Sequence, residues 1–256
     1  MNNIADAFYG KKAFIPFVTA GDPDLETTER ILFALQDNGA DLIEIGIPFS
    51  DPVAEGPVIQ QADERALASG TTTDKIFAMM EKIKDKIHVP MVFMTYANVI
   101  FAYGTESFAS HTKELGMAGV IVPDIPFEEK EEIESVFGTY GLDVISLIAP
   151  TSKNRIRTIA AEAKGFVYCV SSLGVTGMRE TVGRGVEDMI REVKRVQDIP
   201  CAVGFGISTP EQAKEMSMIS DGVIVGSAIM KLVAEHGRDS AEHVGAYVRS
   251  MKQAME

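Results

Sequence analysis

Positive charge is in short supply in this chain. Lys and Arg total 24 against 37 Asp and Glu, a formal net charge of −13 over 256 residues. A surface of that sign repels a phosphate backbone, and no basic tract interrupts it, so no nucleic-acid partner is expected. Long apolar runs are missing too: none approaches the ~20 residues that span a bilayer. The start, Met1-Asn2-Asn3-Ile4-Ala5-Asp6, has neither the basic region nor the apolar core of a secretory signal. No membrane association is expected. Cysteine is nearly absent. Cys169 and Cys201 sit inside apolar runs without metal-ligand spacing, and read as reduced core residues of a cytoplasmic protein. Of the four histidines, His88, His111, His236 and His243, none ends an apolar run, which argues against a metal site or a Ser-His pair. No linker or low-complexity stretch divides the chain, and residues 1–256 read as one domain.

What is present is a recurrent pattern. The chain is 46% hydrophobic, enough for a large core and too apolar for disorder. Eight short runs recur: Phe14–Thr19, Leu42–Gly46, Met91–Thr95, Gly119–Val122, Asp143–Ile148, Phe166–Val170, Cys201–Phe205 and Gly222–Val225. Near-continuous apolar runs suit parallel strands buried on both faces. Between them lie helical patterns. Leu25 to Gln36 carries Leu25, Ile31, Leu32 and Leu35 as an apolar stripe. Pro126-Phe127-Glu128-Glu129-Lys130 is expected to open a helix, with proline and acids in the first turn. Thr209-Pro210-Glu211-Gln212 supplies a cap, a proline and an early acid. Eight strand–helix units predict a closed (β/α)8 TIM barrel; an open doubly wound sheet is the alternative.

In such a barrel the active site lies at the carboxyl ends of the strands. Strand alternation places Ile43, Ile45 and Ile47 on one face and Leu42, Glu44 and Gly46 on the other. The isoleucine face should meet the helices, which directs Glu44 into the barrel. A buried ion pair is the bland explanation for such an acid, but none of the eight runs contains Lys or Arg. Glu44 is therefore the candidate proton-transfer group, with a pKa raised by desolvation. The absence of a strand lysine also argues against a Schiff-base aldolase. The following loop, Phe49 to Pro57, carries Asp51 and Glu55 between prolines. They are either solvated loop acids or a second carboxylate dividing acid and base roles with Glu44.

Glycine-bearing turns follow the last three runs: Gly174-Val175-Thr176-Gly177, Gly204-Phe205-Gly206-Ile207-Ser208 and Gly226-Ser227-Ala228. Loops at those places form the common phosphate site of such barrels, through backbone amides and a helix N-terminus. Few cations lie in them, which points to recognition mainly by amides. Arg179 and Arg184 either close over an anionic ligand or are solvated charges. Phe17, Tyr168 and Phe205 are strand aromatics that are either core or the lining of an apolar slot, and the 13 methionines read as core filling.

Several segments together resemble the tryptophan synthase alpha subunit family along essentially the whole chain. They are Phe14-Ile15-Pro16-Phe17-Val18-Thr19-Ala20-Gly21-Asp22-Pro23, Glu44-Ile45-Gly46-Ile47-Pro48-Phe49-Ser50-Asp51-Pro52, Thr95-Tyr96-Ala97-Asn98, Val122-Pro123-Asp124-Ile125-Pro126, Gly174-Val175-Thr176-Gly177 and Val203-Gly204-Phe205-Gly206-Ile207-Ser208. The resemblance implies a (β/α)8 lyase that cleaves indole-3-glycerol phosphate to indole and glyceraldehyde 3-phosphate. The family's acid–base glutamate falls on Glu44. Its second carboxylate, usually aspartate, falls on Glu55, one methylene longer. By the same matching Phe17, Ile59 and Tyr168 would surround the indole, with Tyr96 and Phe205 as further substrate contacts. Gly177, Gly206, Gly226 and Ser227 would hold the phosphate, and Thr176 would belong to a lid near Asp124. The resemblance implies no cofactor in this chain, and a pyridoxal-phosphate beta subunit as partner in an alpha-beta-beta-alpha heterotetramer. The Phe49–Pro57 loop and Asn98-Val99-Ile100-Phe101 are candidate contacts to it. Two rivals are a sugar-phosphate isomerase or epimerase, which commonly employs a His, Lys or metal, and a non-catalytic subunit that only binds a partner.

Overall fold

The computed structural model describes residues 3–171, 179–204 and 206–256, and for 179–184 the backbone alone. Its strands are β1 (Ala13–Thr19), β2 (Ile43–Gly46), β3 (Met91–Met94), β4 (Gly119–Ile121), β5 (Asp143–Ile148), β6 (Val167–Val170), β7 (Cys201–Gly204) and β8 (Gly222–Val225). Each pairs in parallel with its neighbours in the chain. The barrel closes where Ala13 to Pro16 of β1 register with Gly222 to Val225 of β8. That closure excludes the open sheet, and helices follow the strands as the eightfold pattern predicts.

Alternation along the strands divides the apolar residues into two layers. Ile15, Leu42, Val92, Ile121, Ile145, Ala202 and Ile224 fill the barrel interior. Phe14, Val18, Ile43, Ile45, Phe93, Val120, Val203 and Val223 face the helices. At the amino end the short helix Ile4–Phe8 plugs the barrel with Ile4 and Ala7, and the Phe8 ring lies 5.6 Å from Phe166. The interior is therefore filled from below, which leaves room for a ligand at the carboxyl ends. Where β4 meets β5 the backbones crowd: a Cβ on Gly119 would stand 2.2 Å from the Asp143 carbonyl oxygen, so no larger residue fits. Cys169 and Cys201 are free and buried.

The helix signals hold in most places. Leu25–Asp37 buries Ile31, Leu32 and Leu35, and the Asp24 carboxylate caps it by accepting the Thr27 amide at 2.8 Å. Thr209 and Gln212 form a reciprocal capping box ahead of the helix Pro210–Ile219. Pro126–Lys130 departs from expectation. It forms turns, with the Glu129 amide on the Pro126 carbonyl at 2.9 Å, and the helix runs from Glu131 to Thr139. The side chains explain the delay. Glu128 is drawn to Arg155, and Lys130 lies 4.7 Å from the Phe127 ring centre while reaching Glu134 and Glu162. The acids that do face the helix N-terminus are Glu131, Glu132 and Glu134. Among the described residues no helix is long and apolar enough to cross a membrane.

Candidate active site

A cavity of about 740 Å³ opens at the carboxyl ends of the strands, and Glu44 lies on its wall. In register, Glu44 stands beside Phe17 of β1 and Val92 of β3. It is 1% exposed, and neither carboxyl oxygen has a hydrogen-bond partner among the described residues. Burial without a cation pushes its pKa up to about 8, as the alternation of β2 and the scarcity of interior Lys and Arg predict. At neutral pH this carboxyl holds its proton.

Two aromatics close over the acid, and each stands over a glycine. A Cβ on Gly46 would lie 2.6 Å from the Phe17 ring, and one on Gly204 would lie 2.5 Å from the Tyr168 hydroxyl. The missing side chains are what let Phe17 and Tyr168 lean into the mouth of the barrel. Tyr168 faces both Glu44 and Glu55, and burial holds its phenol far above the usual range.

Glu55 comes from the loop after β2 and lines the same cavity, with Ile59 one turn into the helix Pro57–Ala68. Burial comes first in raising its pKa, and the neighbouring Asp63 and Glu44 charges add to it. Tyr96 does not line the cavity. Its ring stacks on Phe49 at 5.1 Å, and its hydroxyl accepts the Ala54 amide at 3.0 Å, so it braces the loop from behind. Asp124 also lies off the wall: its carboxylate accepts the Ala97 amide at 2.9 Å, at the start of the helix Ala97–Tyr103. Asp51 is exposed and accepts from the Ser50 hydroxyl.

The opposite rim is polar. Gly206 (φ +80°), Ile207 and Ser208 follow β7, and Gly226 and Ser227 open the helix Ser227–His236 after β8. No side chain caps that helix, so its first amides face the cavity rim unclaimed by the helix. Thr176, Gly177 and Phe205 lie outside the described residues, as do the side chains of Arg179 and Arg184.

Three lining or supporting residues escape the motif reading. Lys231, one turn beyond Ser227, is the only cation on the wall among the described residues. Tyr247 comes from the last helix, Ser240–Met255, and donates to the Ser208 carbonyl at 3.0 Å. Asp63 sits on the buried stripe Ile59, Ala62, Ala66 of the helix Pro57–Ala68. The i+4 spacing from Ser227 to Lys231 and from Ile59 to Asp63 was the available signal; for Tyr247 there was none.

Fold and cavity together define a class: a (β/α)8 barrel with buried carboxyls on one wall of an apolar cavity and a helix N-terminus on the other. Within that class the chain belongs to the tryptophan synthase alpha chain family, whose model matches residues 5–256. It is 45% identical over 256 residues to the tryptophan synthase alpha chain of Lacticaseibacillus casei, covering 100% of this chain and 96% of that one. It is 46% identical over 248 residues to that of Thermoanaerobacter sp. (strain X514), covering 96% and 95%. Among solved structures, tryptophan synthase subunit alpha from Legionella pneumophila str. Paris superposes with a TM-score of 0.89 at 37% identity, covering 100% of this chain and 98% of that one. Subunit alpha from Campylobacter jejuni gives 0.87 at 33% identity, covering 95% and 97%.

Proposed function

We propose that this chain is a carbon–carbon lyase that cleaves indole-3-glycerol phosphate to indole and glyceraldehyde 3-phosphate, in the cytoplasm, and passes the indole to a beta subunit that makes L-tryptophan. The observation that carries the reading is Glu44: a buried carboxyl with no hydrogen-bond partner among the described residues, its pKa raised to about 8, in an apolar cavity sized for a bicyclic ring and across from a helix N-terminus suited to a phosphate.

The chemistry follows from that arrangement. Glu44, holding its proton at neutral pH, donates it to ring carbon three and turns the ring into a leaving group. The carboxylate so formed takes the proton of the adjacent side-chain hydroxyl as the carbon–carbon bond breaks. That hydroxyl carbon becomes the aldehyde, and the bonding pair returns to the ring as indole. Glu44 ends protonated, ready for another turnover. Positive charge builds at the ring nitrogen midway, and Glu55 stabilises it. Phe17, Ile59 and Tyr168 hold the ring, while the amides of Gly206, Gly226 and Ser227, with Lys231 at the rim, anchor the phosphate and fix the orientation. Gly177, Thr176 and Phe205 complete the binding set by family resemblance. The scheme needs no cofactor in this chain; pyridoxal phosphate belongs to the beta subunit, with which it forms an alpha-beta-beta-alpha assembly.

The test is to incubate the purified chain with indole-3-glycerol phosphate, alone and with a beta subunit of the family, and to measure indole and glyceraldehyde 3-phosphate. Equal amounts of both products are expected. No indole under either condition would overturn the reading in favour of another sugar-phosphate enzyme or a non-catalytic subunit.

A further inference from the structure

Tyr247 reaches the cavity from outside the barrel, and the scheme above gives it no task. It comes from the helix Ser240–Met255, which packs against both Pro210–Ile219 and Ser227–His236. Those two helices follow β7 and β8, and the chain entering them, Gly206–Ser208 and Gly226–Ser227, forms the polar rim. The half-buried Tyr247 lines the cavity, as do Lys231 and Leu232, and its hydroxyl donates to the Ser208 carbonyl at 3.0 Å.

The hydrogen bonds of the loop after β7 show what that contact does. Gln212 Oε1 accepts the Ser208 and Thr209 amides, at 2.8 and 3.2 Å, and the Ser208 hydroxyl at 3.2 Å. Those two amides are spent within the helix cap. Among the described residues nothing accepts the Gly206 or Ile207 amide, and both residues line the cavity. These are the donors left for a ligand. Peptide units are planar and rigid, so holding one sets where its neighbours point. The unit joining Ser208 to Thr209 is held at both edges, its N–H by Gln212 and its C=O by Tyr247. Upstream, Gly206 bends the chain at φ +80°, a conformation glycine adopts freely and restrains little. The direction of the Gly206 and Ile207 amides is therefore set from the held end. Tyr247 makes the one hydrogen bond to this loop from another helix among the described residues.

We propose that Tyr247 is a positioning residue for phosphate: through the Ser208 carbonyl it aims the Gly206 and Ile207 amides at the ligand's phosphate group. This rests on the reading above that the polar rim takes the phosphate. Tyr247 acts on the loop and not on the reacting atoms, so its influence falls on binding of the phosphate end and leaves the acid–base chemistry alone. The last helix of the chain thereby takes part in substrate recognition on the far side of the cavity from Glu44.

Tyr247→Phe keeps the ring in the wall and removes only the hydroxyl. On the scale of one hydrogen bond, KM for indole-3-glycerol phosphate should rise about fivefold with kcat within about twofold, the pattern of lost uniform binding. Calorimetric titration of the parent and the variant separates this from a general loosening of the cavity. Glycerol 3-phosphate, which has the phosphate and no ring, should bind the variant about fivefold more weakly than the parent. Indole, which has the ring and no phosphate, should bind both equally. Weakening of both ligands alike, of indole alone, or of neither would reduce Tyr247 to a packing contact and overturn the proposal. If the parent forms no indole, the reaction is what fails, and the titrations still decide the role of Tyr247. A parent that does not bind glycerol 3-phosphate overturns the proposal together with the phosphate rim.

Discussion

At Glu44 a buried carboxyl with no hydrogen-bond donor among the described residues persists because it carries its own proton, and that makes the fold pH-sensitive in a defined direction. Its folded pKa is about 8 against 4.5 for the free side chain. Between those values the native state binds a proton the unfolded chain does not, so this contribution is whole below pH 4.5 and drains away as pH rises through 8. The parent should lose stability relative to Glu44→Gln by about 1.4 kcal/mol per pH unit across that window, with no change below it. Denaturant melts of the two proteins at a series of pH values read the difference directly; a gap that does not vary with pH would mean that Glu44 is not buried as a neutral acid. In catalysis the same variant should lose about a thousandfold or more in kcat while binding substrate normally, since glutamine fills the space but moves no proton. At Glu55 the expectation is graded: alanine costs turnover heavily, whereas aspartate, keeping the carboxyl one methylene shorter, is tolerated better. A Glu55→Ala variant turning over like the parent would remove the nitrogen-stabilising role.

Elements place these side chains, and here sequence pattern carries far. Period-two alternation in β2 puts Glu44 inside and Ile43, Ile45 and Ile47 outside, because a one-residue slip would expose the isoleucines inside the cavity and bury the acid under helices. The cap at Thr209 is equally legible, since it satisfies a local donor. Pro126–Lys130 was not, because its acids and lysine answer to Arg155, Glu134 and Glu162 rather than to their own helix. The same applies to the helix Pro57–Ala68, which carries Ile59 and Asp63. It is tied to the loop after β1 by Arg65 on Asp22, a pair in which the acid is wholly buried and the arginine 34% exposed. Arg65→Ala strands that carboxylate. The cost should be about 2 kcal/mol, below the ~3–5 kcal/mol of a fully buried pair because Arg65 is partly solvated. Chemical denaturation checks it, and a loss under about 0.5 kcal/mol, the scale of an ordinary surface change, would mean the clamp does not hold the helix.

At the scale of the whole molecule, what the sequence hid is a meeting of distant segments: Tyr247 of the last helix with Ser208 after β7. No local pattern encodes it, because only the closed barrel brings the two segments together. Closure also sets an electrostatic problem. On the proposed reaction a molecule of net charge −13 has to admit a phosphate ester, and its long-range field repels that ligand. Amide dipoles act only at contact, which leaves Lys231 as the one charge on the wall, among the described residues, able to oppose the field at the rim. The two influences differ in range and so in their response to salt. The screening length falls from ~30 Å at 0.01 M to ~8 Å at 0.15 M, which removes most of the repulsion from the far surface but less of a contact at the rim. Lys231→Gln should therefore leave kcat unchanged and lower kcat/KM for indole-3-glycerol phosphate about tenfold at 0.01 M salt, roughly 1.4 kcal/mol, within the range for one charge pair near a surface. As salt rises to about 0.15 M the variant should recover more than the parent, because repulsion is all it has to lose, and the gap should narrow to about threefold. A deficit equal at both salts would reduce Lys231 to a packing contact, and a variant whose kcat/KM falls with added salt would show that the field at the cavity mouth attracts anions without it.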